Sequence, residues 1–252
     1  MDKIKVGIVN YLNARPLVYG IERAAIRERI DLVQEYPAAV ARMLAAGSID
    51  IGLAPVAVLH RMPHFRLVTD YCIGCNGPIA SVCLFSEVPV EEITEVLLDY
   101  QSRTSVALAK ILLREYWQLD PVLTDTREDF RDRIKGTTAG VLIGDRALQQ
   151  RHISPYIYDL GEAWKAHTGL PFMFAGWISN KALPADFIAA FNEANRDGLN
   201  YIDTVASMHP FPYFDLQQYY TQFVDYNVDA EKKKAVELFL QKINNHVAIK
   251  QG

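Results

Sequence analysis

The sequence predicts an α/β fold of two lobes, each a mixed, mostly parallel sheet flanked by helices, with a cleft between them. Three observations predict it. Short β-like runs alternate with helical ones up to Pro55, the alternation restarts as a second series at Glu95, and one late strand precedes long helices. This order places the second lobe inside the first, with lobe one at residues 1–90 and 173–252 and lobe two at 91–172.

Residues 5–9 read as the first strand, and Pro16 opens a helix reaching residue 27, because proline fits the first helical turn. A second strand at 32–36 leads through Pro37 to a small-residue helix, 38–46, stopped by Gly47. The third strand, 50–54, is closed by Pro55. Strands at 66–71 and 79–85 flank the Gly74-Cys75-Asn76-Gly77-Pro78 turn. The second series has strands at 95–98, 121–124, 139–144 and 156–160, with helices at 102–117, 128–134 and 162–167. A strand at 172–178 and helices at 184–207, 215–223 and 229–246 complete the chain.

Half of the 252 residues are apolar and 22% are charged, which describes a folded chain with a core and excludes a disordered, collagen-like or disulfide-stapled protein. The net charge of −4 argues against phosphate-neutralising nucleic-acid binding. No apolar run is long enough for a bilayer, and Asn10, Asn13 and Arg15 cut short the only stretch near the start that could act as a secretory signal. Three cysteines, Cys72, Cys75 and Cys83, leave one unpaired in any scheme, which suits a reducing compartment. The expectation is a cytoplasmic monomer or homodimer that handles a small molecule, without nucleic acid or membrane as partner.

In two-lobed folds ligands meet the carboxyl ends of strands and the N-termini of helices, so chemistry is sought there. The loop Asn10-Tyr11-Leu12-Asn13-Ala14-Arg15 joins the first strand to its helix, and either asparagine could instead be a plain helix cap. Ser102-Arg103-Thr104-Ser105 opens an apolar helix. Ser102 alone would suffice as a cap, so the two further hydroxyls favour an anion site. Ser81 enters a strand from the Gly77-Pro78 turn and has no local His or Asp to make it a nucleophile. Cys72 and Cys75 lack a second ligand pair for zinc. Pro63 interrupts the His60–His64 spacing, and the run Glu231-Lys232-Lys233-Lys234 reads as a solvated helix face.

The opening Val9-Asn10-Tyr11-Leu12-Asn13-Ala14-Arg15-Pro16-Leu17 resembles that of the chorismate dehydratase family of the futalosine route to menaquinone. Further segments resemble the family in the same order: Asp50-Ile51-Gly52-Leu53-Ala54-Pro55, Gly77-Pro78-Ile79-Ala80-Ser81, Ser102-Arg103-Thr104-Ser105, Ile143-Gly144-Asp145, and Asp159-Leu160-Gly161-Glu162-Ala163-Trp164 continuing through Thr168-Gly169-Leu170-Pro171-Phe172 to Trp177. The resemblance implies a type II periplasmic-binding-protein fold and the conversion of chorismate to 3-[(1-carboxyvinyl)oxy]benzoate without metal or organic cofactor. Carried over residue by residue, it implies catalytic roles for Asn13 and Ser81. Substrate binding would fall to Asn10, Arg15, Pro55, Ser102, Arg103, Thr104, Ser105, Asp145, Thr168 and Gly169.

Chorismate carries two carboxylates, which suit a helix N-terminus and amide or hydroxyl donors. The base that takes the C3 proton is either Asp145 or Glu162, or the substrate's own enolpyruvyl carboxylate. The last suits a site rich in neutral donors. The alternatives are a solute-binding protein for a small carboxylate, the sister enzyme that makes 1,4-dihydroxy-6-naphthoate, and a ligand-sensing module.

Overall fold

Two sheets carry the chain in the computed structural model, which describes residues 3–60, 62 and 64–248. The first sheet begins with β1 (Ile4–Val9), β2 (Ile30–Glu35), β3 (Ile51–Pro55) and β4 (Arg66–Cys75). The chain then crosses to the second sheet, formed by β5 (Val82–Ser86), β6 (Glu95–Leu98), β7 (Val122–Asp125), β8 (Thr138–Ile143) and β9 (Tyr156–Asp159). It returns to the first as β10 (Phe172–Ser179) and β11 (Asp225–Asn227). The strand orders are β11-β4-β10-β3-β1-β2 and β7-β6-β8-β5-β9.

Both sheets are mixed. Parallel pairing joins β1 to β2 and β3, and β6 to β7 and β8, where helical crossovers return the chain in the same direction. The strands at the crossings pair antiparallel: β10 with β3 and β4, and β5 with β8 and β9. β3, β5 and β10 are buried at every position, as befits strands covered on both faces. Alternation along β5 sends Val82 and Leu84 into the main core, and Cys83 and Phe85 into a smaller cluster with Leu97, Phe130 and Leu142.

The helices are α1 (Arg15–Arg23), α2 (Pro37–Ala45), α3 (Thr104–Glu115), α4 (Gly144–Gln150), α5 (Leu160–Thr168), α6 (Ala185–Leu199), α7 (Ile202–Met208), α8 (Leu216–Gln218) and α9 (Ala230–Ala248). α8 runs directly into a π-helical turn, Tyr219–Phe223. The prolines act as expected: Pro16 and Pro37 lie in the first turns of α1 and α2, and Gly47 follows α2 at φ +69°.

Several expectations are corrected. The strand at 82–86 belongs to the second sheet, so the first crossing falls before Val82 rather than near residue 90. Pairing with β8 on one side and β9 on the other is long-range and leaves no local trace. Gly74 and Cys75 are not in a turn: β4 runs through both because β10 and β11 hold its end. The helix expected at 128–134 is only a 3₁₀ turn, Arg131–Arg133, pinned by buried Phe130 and Ile134. Lys232 does not face solvent. It is 0% exposed, with its ammonium held by Asp225 at 2.5 Å and Asp229 at 3.2 Å. Pro63, expected to break the turn between His60 and His64, lies outside the described residues.

Candidate functional site

Where the two sheets meet, the loop after β1 lies against the start of α4. The loop's position is set from behind by a close crossing of α1 and α6. A Cβ on Gly20 would stand 2.0 Å from the carbonyl of Ala194, and one on Gly198 2.0 Å from that of Pro16, so only glycine permits this approach. On the other side, Gly144 opens α4 at φ +62°, and the Tyr11 ring lies directly over it, 3.0 Å from where a Cβ would be. The Tyr11 hydroxyl donates to Oε1 of Gln101, and the Leu12 amide donates to Oδ1 of Asp145 at 3.0 Å. Two further hydrogen bonds join the halves. The Ala38 amide donates to the Gln101 carbonyl at 3.1 Å, and the Ala57 amide to Oγ1 of Thr104 at 3.2 Å.

Deeper in the seam, the phenol of Tyr219 donates to Oγ of Ser81 at 2.6 Å. Ser81 is 0% exposed and its carbonyl accepts the Gly144 amide at 2.8 Å. The Asn13 side chain lies close enough to act on the same phenol, while the Asn13 carbonyl accepts from the Tyr226 hydroxyl at 2.9 Å. Arg146 donates to both oxygens of Asp99 at 2.8 Å and to Oε1 of Gln101 at 2.9 Å.

Three buried polar atoms of this region, Asn13 Oδ1, Tyr220 Oη and Arg146 Nη1, have no hydrogen-bond partner; His60 Nδ1 and Gln150 Oε1 are in the same state elsewhere. Buried polar groups are satisfied in the great majority of cases, so an acceptor, a hydroxyl and a guanidinium nitrogen left open in one seam point to a polar ligand. The electrostatics agree. Burial pushes Asp145 above the usual carboxylate range, opposed by the Leu12 amide and Arg15. Burial raises Asp99 as well, opposed by Arg146 and by the Gln101 and Ile143 amides. The phenols of Tyr11, Tyr219 and Tyr220 are all held far above their ordinary value by burial, so each keeps its proton at any working pH.

Several expected residues therefore meet: Asn13, Ser81, Asp145 and Arg15, the last close enough to act electrostatically on Asp145 and Tyr220. Asn10 is exposed and accepts from Arg15 Nη2 at 3.3 Å, and neither asparagine caps a helix. Ser102 is the cap of α3, its Oγ accepting the Ser105 amide at 3.1 Å. Thr104 and Ser105 are buried in the first turn, and Thr104 is engaged with Ala57. Pro55 ends β3 beside Ala57. Arg103 is exposed and, with Ser102, lines a cavity of about 980 Å³ that runs along α3 past Lys110 and Arg114, outside the Asn13–Ser81 seam.

Thr168 and Gly169 are not brought to the seam by any contact in the structure. They form the stop of α5: Gly169 sits at φ +74°, and the Thr168 hydroxyl donates to the Trp164 carbonyl at 2.8 Å. Glu162 is exposed on the first turn of α5, so of the two carboxylates expected as a base only Asp145 lies at the seam. Asp159 has a structural task, accepting from the amides of Ile79, Ala80, Gly161 and Glu162 and so shaping the turn that delivers Ser81.

Sequence reasoning missed Tyr11, Gln101, Arg146, Tyr219 and Tyr220. Tyr11, Gln101 and Arg146 adjoin segments already singled out. Tyr219 and Tyr220 lie in the last third, far along the chain from their partners. Among the described residues no His, Cys, Asp or Glu group is arranged to hold a metal, and the three cysteines are buried and free.

A family model described as menaquinone biosynthesis matches residues 4–245. The chain is 26% identical to a chorismate dehydratase of Thermus thermophilus, the match covering 94% of this chain and 93% of that one. A chorismate dehydratase of Campylobacter jejuni is 25% identical, covering 93% and 95%. Among solved structures, the periplasmic aliphatic sulphonate binding protein of Escherichia coli superposes with a TM-score of 0.63 at 13% identity, covering 98% of this chain and 88% of that one. That last likeness concerns the fold alone.

Proposed function

The chain belongs to the menaquinone-biosynthesis family, and from that premise we propose that it is a chorismate dehydratase, eliminating water from chorismate to give 3-[(1-carboxyvinyl)oxy]benzoate. One observation carries the assignment to the seam: Asn13 Oδ1 and Tyr220 Oη stand buried and unpartnered near Ser81 and Asp145, with Arg146 Nη1 likewise open beside Asp99 and Gln101. A dicarboxylate that bears a hydroxyl supplies both the acceptors and the donor these groups lack.

The elimination takes the hydrogen at C3 and the hydroxyl at C4 and leaves an aromatic ring. It is redox-neutral and downhill, so the protein's task is to orient chorismate and assist two proton movements. Arg146 and Arg15 supply local positive charge in a chain of net charge −4. Asn13 and Ser81 address the reacting edge of the ring. The base is the substrate's own enolpyruvyl carboxylate, held by these donors. Asp145 remains the protein alternative, and exposure removes Glu162. With the Tyr11 ring resting on Gly144 the seam is shut, so chorismate enters when the two sheets part.

A solute-binding protein of the same fold would hold the ligand unchanged. Incubating the purified protein with chorismate separates the two: aromatic product supports the dehydratase, and bound chorismate recovered intact supports the carrier.

A further inference from the structure

We propose that Tyr219 is a positioning residue that fixes Ser81 as a hydrogen-bond donor to the substrate, through the hydrogen bond from the Tyr219 hydroxyl to the Ser81 hydroxyl. This rests on the dehydratase reading above.

A phenol has one proton to give. The geometry directs that of Tyr219 to Ser81 Oγ, 2.6 Å away across 138 residues of sequence. The phenol oxygen is left free to accept. Nearby, Asn13 Oδ1 is buried and unpartnered. Ser81 Oγ therefore accepts a hydrogen bond, so its own O–H is turned away from Tyr219 and offered to whatever occupies the seam. Asn13 presents an acceptor and Ser81 presents a donor. A hydroxyl leaving C4 needs such a donor, and the acceptor beside it takes that hydroxyl's own O–H and so orients it.

The device is rigid. Tyr219 is 1% exposed, and its ring packs against Phe214 at 5.9 Å and Tyr220 at 5.7 Å between centroids. The π-helical turn beginning at Tyr219 sets the angle at which the phenol enters the seam. Burial keeps the phenol protonated, so the direction of that hydrogen bond does not reverse with pH.

The test is a double-mutant cycle with Tyr219→Phe and Ser81→Ala, reading kcat and KM for chorismate. Phe keeps the ring and its packing, and a melting curve for each variant confirms that the fold survives. Tyr219→Phe lowers kcat about tenfold or more with KM within about threefold, because Ser81 is free to turn its proton elsewhere. In the Ser81→Ala background the same change costs less than about twofold, since its target is gone. Losses that simply multiply, or a Tyr219→Phe protein as fast as the wild type, overturn the positioning role while leaving the dehydratase intact. An alkaline limb of the kcat–pH profile that disappears in Tyr219→Phe also overturns it, because the phenol would then be transferring a proton itself. A wild-type protein that makes no product overturns the dehydratase reading, and the positioning role with it.

Discussion

The main-chain amide of Leu12 donates to Oδ1 of Asp145 at 3.0 Å, so one carboxylate ties the loop after β1 to the first turn of α4. Asp145→Asn keeps an oxygen for that amide and removes the charge. If the substrate's carboxylate is the base, kcat for chorismate stays within about threefold of wild type. A fall of ~10²-fold with chorismate still bound would transfer the role to Asp145.

The same substitution has a pH signature in stability. Burial raises Asp145 in the folded state above its ordinary value of 3.8. The folded protein therefore holds that proton more tightly than the unfolded chain, and stability declines as pH rises through the window between the two values. At pH 7 Asp145→Asn melts ~1–3 °C above wild type, and the difference vanishes once both forms are protonated at low pH. Calorimetric melting of the two proteins across pH checks the sign.

Asn13→Ala removes the acceptor in the seam but leaves the main-chain carbonyl that Tyr226 uses, so the loop keeps its place. Product formation falls by ~10²-fold or more while the melting temperature moves by no more than a few degrees. An unaffected rate would take Asn13 out of the site.

Thr104 is 1% exposed and accepts the Ala57 amide, a bond between the start of α3 and the segment after β3. Thr104→Val strands a buried N–H and costs about 2 kcal/mol, or ~4–8 °C in melting temperature for a chain of this size. Thr104→Ser restores the acceptor and most of the loss. Differential scanning calorimetry on the three proteins separates this tie from any role in holding the substrate, which a KM measurement reads independently.

Gly144 holds φ +62° beneath the Tyr11 ring. Gly144→Ala forces a left-handed alanine and drives a methyl into that ring, destabilising by ~1–3 kcal/mol and displacing Tyr11 from Gln101. Because the displaced ring borders the seam, KM for chorismate rises by about tenfold. Steady-state kinetics at several chorismate concentrations show whether KM or kcat responds.

What could be read from the sequence was local. Pro16 and Pro37 announced helix starts and Gly47 a helix stop, because each acts within one turn of itself. Asn13, Ser81 and Asp145 were expected from the segments that resemble the dehydratase family, and the structure brings them close to one another. Other features depend on partners far along the chain. Tyr219 reaches Ser81 across 138 residues, and nothing in residues 215–223 distinguishes a phenol aimed at the seam from one packed in a core. β5 lies in the second sheet because of β8 and β9, and Lys232 is buried because Asp225 and Asp229 surround it. Thr168-Gly169 has a local role of its own: a left-handed glycine after a helix is a stop signal, and the structure uses it as one.

The most direct measurement is a proton NMR time course of chorismate with the purified protein, run beside Ser81→Ala. Chorismate ring signals should give way to four aromatic protons and a retained enolpyruvyl methylene at a rate proportional to protein, with Ser81→Ala slower by ~10²-fold or more. Chorismate signals that broaden on binding but persist unchanged, or aromatic product formed equally fast by Ser81→Ala, would contradict dehydration at this seam.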